Sequence, residues 1–346
     1  MPRVLSWEKP PSGAGAGLGL ALVPPEPEQL RLFDYGLDLE VLRMRRAAMA
    51  ERRRAENTRA SYAWDWLDFS RWCDSAGRAA LPCSPDTLSL YLVDLAGRGR
   101  VVATIRRRVS SINAQHLAAG LVSPATAEVG EVLAGIGREL GTAPRRAKAA
   151  LGVEELRRLL AATDDDGPRG CRDRALLVVG FASGLRRSDL VRLDLADVSI
   201  KREGLVLQVA RSKTDQAGAG WLLGVHRGRH RATCPVVLLQ RWILERGGWP
   251  GPLFSQLSKP GDAILRKRMT GESVGDLVQA AAARAGLDPR LYGAHSLRAG
   301  CATAAAAAGA SDVAIMQRTG HKSAAMMGRY VRPARLFDID PLRGVL

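Results

Sequence analysis

Three stretches of this chain place polar groups where an apolar helix has no use for them. GLRRSDL (184–190) follows a helical pattern ending in FAS, and HSLRAG (295–300) opens an alanine-rich helix. TGHKSAAMMGRYVR (319–332) sets His321 nine residues before Tyr330. A weaker fourth, RSKTDQAG (211–218), leaves a hairpin pattern. His295 and Arg298 stand three apart and share a helix face. Arg186 and Arg187 are adjacent, about 100° apart on a helix, so one of them faces any common ligand. Two arginine forks suit the non-bridging oxygens of a phosphodiester and the added charge of a pentacoordinate transition state. A tyrosine hydroxyl can attack phosphorus and store the bond as an ester, while histidine and lysine move protons on the attacking and leaving oxygens. No carboxylate cluster suits Mg²⁺, so the chemistry is expected to need neither metal nor cofactor.

The elements that must carry these groups are mostly helical. Residues 1–39 are rich in Pro, Gly and Ala and read as a flexible arm. Helical patterns follow at 38–77, 86–97, 102–119 and 124–140, with no strand signal, which predicts an all-α domain over 40–141. In the first, Tyr62, Trp66, Phe69 and Cys73 form one stripe; Trp64 and Trp72 lie off it, as a second packing edge or as surface. Leu88, Tyr91, Leu92 and Leu95 point inward from the second. A basic linker occupies 142–152 and a second domain 153–333. There, helices are expected at about 172–183, 235–245, 271–285, 296–308, 311–319 and 324–330, with a strand hairpin over 198–210 turning at Glu203–Gly204. The tail, 334–346, holds six apolar side chains in a short span.

The 346 residues are enough for two domains with their own cores. The formal charge is +16, rising from 21 basic and 16 acidic groups in 1–149 to 30 and 19 in 150–346, a field that favours a polyanion. With 46% hydrophobic residues the chain is not disordered, and no run approaches a membrane span. Five scattered cysteines without CxxC spacing argue against a disulfide scaffold or structural zinc. The start, MPRVLSWEKPPSG, lacks a signal pattern. A soluble, cytoplasmic protein is expected, and the high Ala, Gly and Arg content fits a GC-rich bacterial genome, phage or mobile element.

Taken in order, GLRRSDL, RSKT, HSLR, and GH followed after nine residues by tyrosine resemble the tyrosine recombinase (phage integrase) family over about 40–346. The resemblance implies a mainly α protein with a small β-sheet, built as a C-shaped clamp. Its parts are an all-α, SAM-like core-binding domain and a catalytic domain. By position, Arg186 matches the first catalytic arginine and Asp189 its acidic brace. Lys213 matches the hairpin lysine that protonates the departing 5′ oxygen, and His295 and Arg298 match the HxxR pair. His321 matches a donor to the scissile phosphate, and Tyr330 matches the nucleophile of a 3′-phosphotyrosyl bond. The partner implied is duplex DNA with inverted half-sites, held by a homotetramer or by a heteromer with a related recombinase. The apolar tail would contact a neighbouring protomer. The missing folded arm-binding domain argues against a large integrase with separate arm sites.

Candidate DNA contacts are Arg106, Arg107 and Arg108 on a helix, Arg145, Arg146 and Lys148 in the linker, Arg187 and Arg211 beside the motifs, and Arg227, Arg229 and Arg231 in the run HRGRHR. Two other readings use the same residues. One is a type IB topoisomerase-like relaxing enzyme; the other is a non-catalytic DNA-binding protein that uses Tyr330 for packing.

Overall fold

A computed structural model of the chain describes residues 38–42, 44–45, 56–141, 148–163, 167–209, 220–321, 323, 327–328, 330–331 and 335. Two compact units divide the chain, Met1–Arg71 and Trp72–Leu346. In the first, residues 39–42 and 44–45 are helical, and α1 (Glu56–Ser75) supplies most of the remainder. The Trp66 and Phe69 rings pack tilted at 52° with centroids 5.7 Å apart, while Trp64 is 72% exposed.

The second unit begins with the last turn of α1, where Trp72 lies 5.3 Å from the Tyr91 ring. Of the two tryptophans off the stripe, Trp72 is thus a packing edge and Trp64 is surface. α2 (Pro85–Gly97) starts where Ser84 accepts the Thr87 N–H at 3.1 Å and Pro85 fills the first helical position. It buries Leu88, Tyr91, Leu92 and Leu95, as their spacing predicts. α3 (Val102–Ala118) and α4 (Ala127–Leu140) pack against it through Ile105, Ile112, Val129 and Ile136. Arg108 corrects the sequence reading. It is buried, donates to the Tyr91 hydroxyl and lies over that ring, so only Arg106 and Arg107 of the run are exposed. Three consecutive helical positions span about 200°, and the third falls on the Ile105–Ile112 face.

The rest of this unit is helical around two small sheets: α5 (Val153–Ala161), α6 (Pro168–Ser183), α7 (Arg187–Arg192), α8 (Pro235–Arg246), α9 (Gly271–Arg284), α10 (Ala294–Ala307) and α11 (Asp312–Thr319). β1 (Val198–Ile200), β2 (Gly204–Val209) and β3 (Trp221–His226) form an antiparallel sheet in that order, with Val209 opposite Trp221. β4 (Ser255–Leu257) pairs with β5 (Ile264–Arg268). The sequence reading found only β1 and β2. β3 runs unbroken through Gly224, but its outward-facing Leu222 blurs the apolar alternation, and β5, ILRKR, has no buried position and therefore no apolar alternation to detect. α6 starts at Pro168, earlier than its apolar pattern, because proline fits the first turn.

α6 is the central helix. Leu176, Leu177, Val178 and Val179 are buried, with α8 and α10 packed against the helix. Chain 148–151 then pins α10, the helix of the HSLR motif. Ala149 N–H donates to Leu291 C=O at 2.8 Å and Leu151 N–H to Ser296 C=O at 3.0 Å. The Leu151 carbonyl comes so close to Gly300 that a Cβ there would lie 2.0 Å from its oxygen. That glycine is an approach point between backbones, and any side chain would push α10 off its seat. Among the described residues no helix is long and apolar enough to cross a membrane, and all five cysteines are free and buried.

Candidate active site

Two helix ends and two arginines build the site by exchange. α6 ends at Gly184 and α11 at Gly320, both in the left-handed conformation at φ +64°. Their carbonyls belong to helix C-termini, where partial negative charge collects. Arg186, the residue capping α7, donates from Nη2 to Gly320 C=O at 3.2 Å. Arg298, from α10, donates from Nη1 to Gly184 C=O at 2.7 Å. A Cβ on Gly184 would press on Cys301 Sγ and Thr319 Cγ2 at 3.1 Å, and at φ +64° any other residue is strained.

Asp189 is 2% exposed and Arg298 3% exposed. Asp189 Oδ2 lies 3.7 Å from Arg186 Nη1, and Ser188 Oγ donates to Oδ1 at 3.2 Å. Burial raises the Asp189 pKa, and Arg186, the Ser188 hydroxyl, Arg192 and Arg298 oppose it. Burial first, then the nearby Arg186 charge, pushes Arg298 down to about 10, so it stays a cation at neutral pH. Its Nη2 is buried without a hydrogen bond among the described residues. A buried cationic donor left unspent is costly unless an anion completes it.

Tyr330 faces these groups. Its hydroxyl is 2.6 Å from His295 Nε2, and the His295 and His321 rings each lie 5.9 Å from its ring. Residues 327–328 and 330–331 are helical, and Met327 and Val331 pack with Ala302, Ala306 and Ile315 of α10 and α11. Tyr330 is therefore docked on its own protomer. Three further residues hold this arrangement. Arg318 donates to Ala182 C=O at 2.5 Å and Gly224 C=O at 3.1 Å, tying α11 to the end of α6 and to β3. Thr319 bonds His321 Nδ1 at 2.7 Å. Arg335 pairs with Asp312 at 3.0 Å and donates to the Ala306 and Ala310 carbonyls, fixing the chain five residues beyond the tyrosine. None of the three is legible in the sequence, because arginines that bond carbonyls and a threonine that bonds a ring nitrogen carry no spacing signal. Trp221, at the start of β3, has its ring edge 3.8 Å from a Cβ placed on Gly320 and a buried Nε1 without a hydrogen bond.

Both imidazoles are driven toward neutrality. Loss of water, then the Arg298 and Arg186 charges, lower the His295 pKa. The same causes, with His295 added, push His321 from its ordinary 6.5 to about 4. The unfolded chain therefore takes up a proton below pH 6.5 that folded His321 refuses until about 4, so stability falls as pH drops through that window. His321→Asn removes this contribution. Melting temperatures measured against pH should fall less steeply for the variant between about 6.5 and 4, and parallel curves would contradict the burial of a neutral His321.

Of the residues expected at the site, Arg186, Asp189, His295, Arg298, His321 and Tyr330 come together. Lys213, Arg211, Arg145 and Arg146 lie outside the described residues. Arg187 points away from the paired arginines, with an exposed ion pair to Glu272 at 3.4 Å, as adjacent positions require. Lys148 Nζ donates to Arg290 C=O at 2.6 Å. Arg227, Arg229 and Arg231 are exposed between β3 and α8, Arg227 Nε donating to Arg202 C=O at 2.8 Å.

A tyrosine in hydrogen-bond contact with a neutral imidazole, beside two arginines at helix ends, defines the class: a DNA strand-transferring enzyme of the tyrosine type. Residues 150–335 match the model of the phage integrase family, and the chain belongs to that family. An integrase/recombinase XerD homolog of Selenomonas ruminantium is 34% identical over 307 residues, covering 88% of this chain and 89% of its own. Recombinase Cre of Escherichia phage P1 is 27% identical over 297 residues, covering 79% and 84%. A lambda integrase tetramer bound to a Holliday junction shares the fold at a TM-score of 0.56 and 18% identity, covering 88% of this chain and 80% of that one.

Proposed function

We propose that the protein is a site-specific recombinase that cleaves and rejoins duplex DNA through a 3′-phosphotyrosyl intermediate, without a metal. The 2.6 Å contact between Tyr330 Oη and His295 Nε2 carries this reading. A neutral imidazole can take the phenolic proton as the oxygen attacks phosphorus. Arg186 and Arg298 supply cationic donors to the phosphate, and the unspent Nη2 of Arg298 is the donor for a non-bridging oxygen. Lys213 protonates the 5′ oxygen as its bond to phosphorus breaks. The free 5′-hydroxyl then attacks the phosphotyrosine of the partner strand and gives a Holliday junction.

The wider assembly follows from the family. The solved relative on a Holliday junction is a tetramer, and two protomers on inverted half-sites, paired across two duplexes, would form such a tetramer here. An α-helical domain over 40–141 and a catalytic domain over 153–333 would both bind the duplex, with Arg145 and Arg146 of the linker as phosphate contacts; residues 148–151, seated on α10, belong to the catalytic domain rather than to the linker. The apolar tail over 334–346 would contact a neighbouring protomer. Charge donors replace the metal at the phosphate, so adduct formation on a specific duplex should proceed at an unchanged rate in EDTA. Loss of adduct that returns on adding Mg²⁺ would refute the metal-free mechanism.

A further inference from the structure

His321 is held by a bond whose direction can be deduced. Thr319 Oγ1 lies 2.6 Å from Ile315 C=O and 2.7 Å from His321 Nδ1. A hydroxyl has one proton, and a carbonyl oxygen only accepts. The Thr319 proton therefore goes to Ile315, and Thr319 must accept from His321, which places a proton on Nδ1. In the neutral ring the second nitrogen, Nε2, then carries a lone pair. His116 in α3 has the same tautomer, since Nδ1 bonds Ile112 C=O at 2.9 Å and Nε2 accepts the Cys83 N–H at 3.0 Å. There both nitrogens are spent in the interior; His321 Nε2 has no hydrogen bond among the described residues.

That lone pair has the wrong polarity for a phosphate oxygen, which also only accepts. The ordinary way for such a ring to donate is to gain a second proton. We propose that Thr319 is a positioning residue that fixes His321 as the Nδ1–H tautomer, so that His321 donates to the scissile phosphate only as an imidazolium and strand cleavage is coupled to proton uptake at its Nε2.

The proton comes from solvent. It bonds to the Nε2 lone pair, and no other bond is broken. Among the described residues the charged and titratable groups around the ring are Arg186 capping α7, Arg298 and His295 on α10, Arg318 on α11 itself, and Tyr330. Loss of water first, then the charges of the two active-site arginines, keep the ring neutral in the free protein. A phosphodiester anion between them offsets that charge and favours the cationic ring, so uptake accompanies binding. The tautomer is a property of the free chain, whereas the coupling rests on the recombinase reading above.

Two measurements test this on the full chain. Nitrogen-15 NMR of the histidine side chains in the free protein at neutral pH should show His321 as Nδ1–H in the wild type and in Thr319→Ser. Thr319→Val, which removes the acceptor, should lose that preference. An Nε2–H ring in the wild type would overturn the proposal without any variant. The second measurement is single-turnover cleavage of a nicked specific duplex against pH. Wild type and Thr319→Ser should lose about tenfold in rate per pH unit on the alkaline side. Thr319→Val, whose neutral ring is free to donate from Nε2, should hold its rate at least one unit higher. A merely structural role for Thr319 would lower the rate equally at every pH, and coincident alkaline limbs would overturn the coupling. Coincident limbs with normal wild-type cleavage remove the coupling alone; no cleavage by any form removes the recombinase reading with it.

Discussion

Tyr330→Phe should abolish the covalent protein–DNA adduct while leaving affinity for the specific duplex within a few-fold of wild type. The substitution removes one oxygen, and that oxygen is the attacking atom. Removing the nucleophile of a comparable catalytic unit costs about 10⁶ in rate, so single-turnover cleavage should drop below detection. Folding should be spared, because Tyr330 is only partly buried and its neighbours Met327 and Val331 hold the segment on α10 and α11. Among the described residues the hydroxyl bonds His295, and water can take that place. Gel-shift titration and denaturing gels on the same samples check this. Adduct from the phenylalanine variant would exclude Tyr330 as nucleophile, and a large loss of binding would give it the packing role.

The second large effect is at Arg298. One arm of its guanidinium is committed to Gly184 and another is unspent. Replacement by alanine should lower the cleavage rate about 10²–10³-fold, the usual loss for one transition-state donor. Lysine should recover no more than about tenfold. Its ammonium keeps the charge but is a single point, without the planar fork that serves a carbonyl and a phosphate oxygen together. Binding should weaken far less than the rate, since one phosphate contact among many is lost. An Arg298→Ala rate within tenfold of wild type would remove Arg298 from the chemistry and leave it holding α6 to α10.

The described part of the site was legible because its chemistry requires specific side chains at fixed order and spacing. Arg186, Asp189, His295, Arg298, His321 and Tyr330 all sit in short motifs whose resemblance to the family assigned them. The supports were not legible. Arg318, Thr319 and Arg335 act through backbone carbonyls and a ring nitrogen, partners that leave no pattern in a sequence. Helices with strong apolar periodicity, such as α2, show the right buried face in the sequence, whereas the exposed Leu222 hides the alternation of β3 and β5 buries nothing. Arg108 shows the converse error. A run of basic residues looks like surface, yet Tyr91 offers both a hydroxyl and a ring face, and that is enough to draw one arginine inside.

The most direct test of the central claim is to trap wild-type protein on an end-labelled, nicked duplex carrying its inverted repeats, in EDTA, and to map the adduct by mass spectrometry. The expected result is a nucleotide joined through its 3′ phosphate to the peptide containing Tyr330, with a free 5′-hydroxyl on the released strand. A link to another side chain, a 5′ linkage, or no adduct on a duplex that is specifically bound would contradict it.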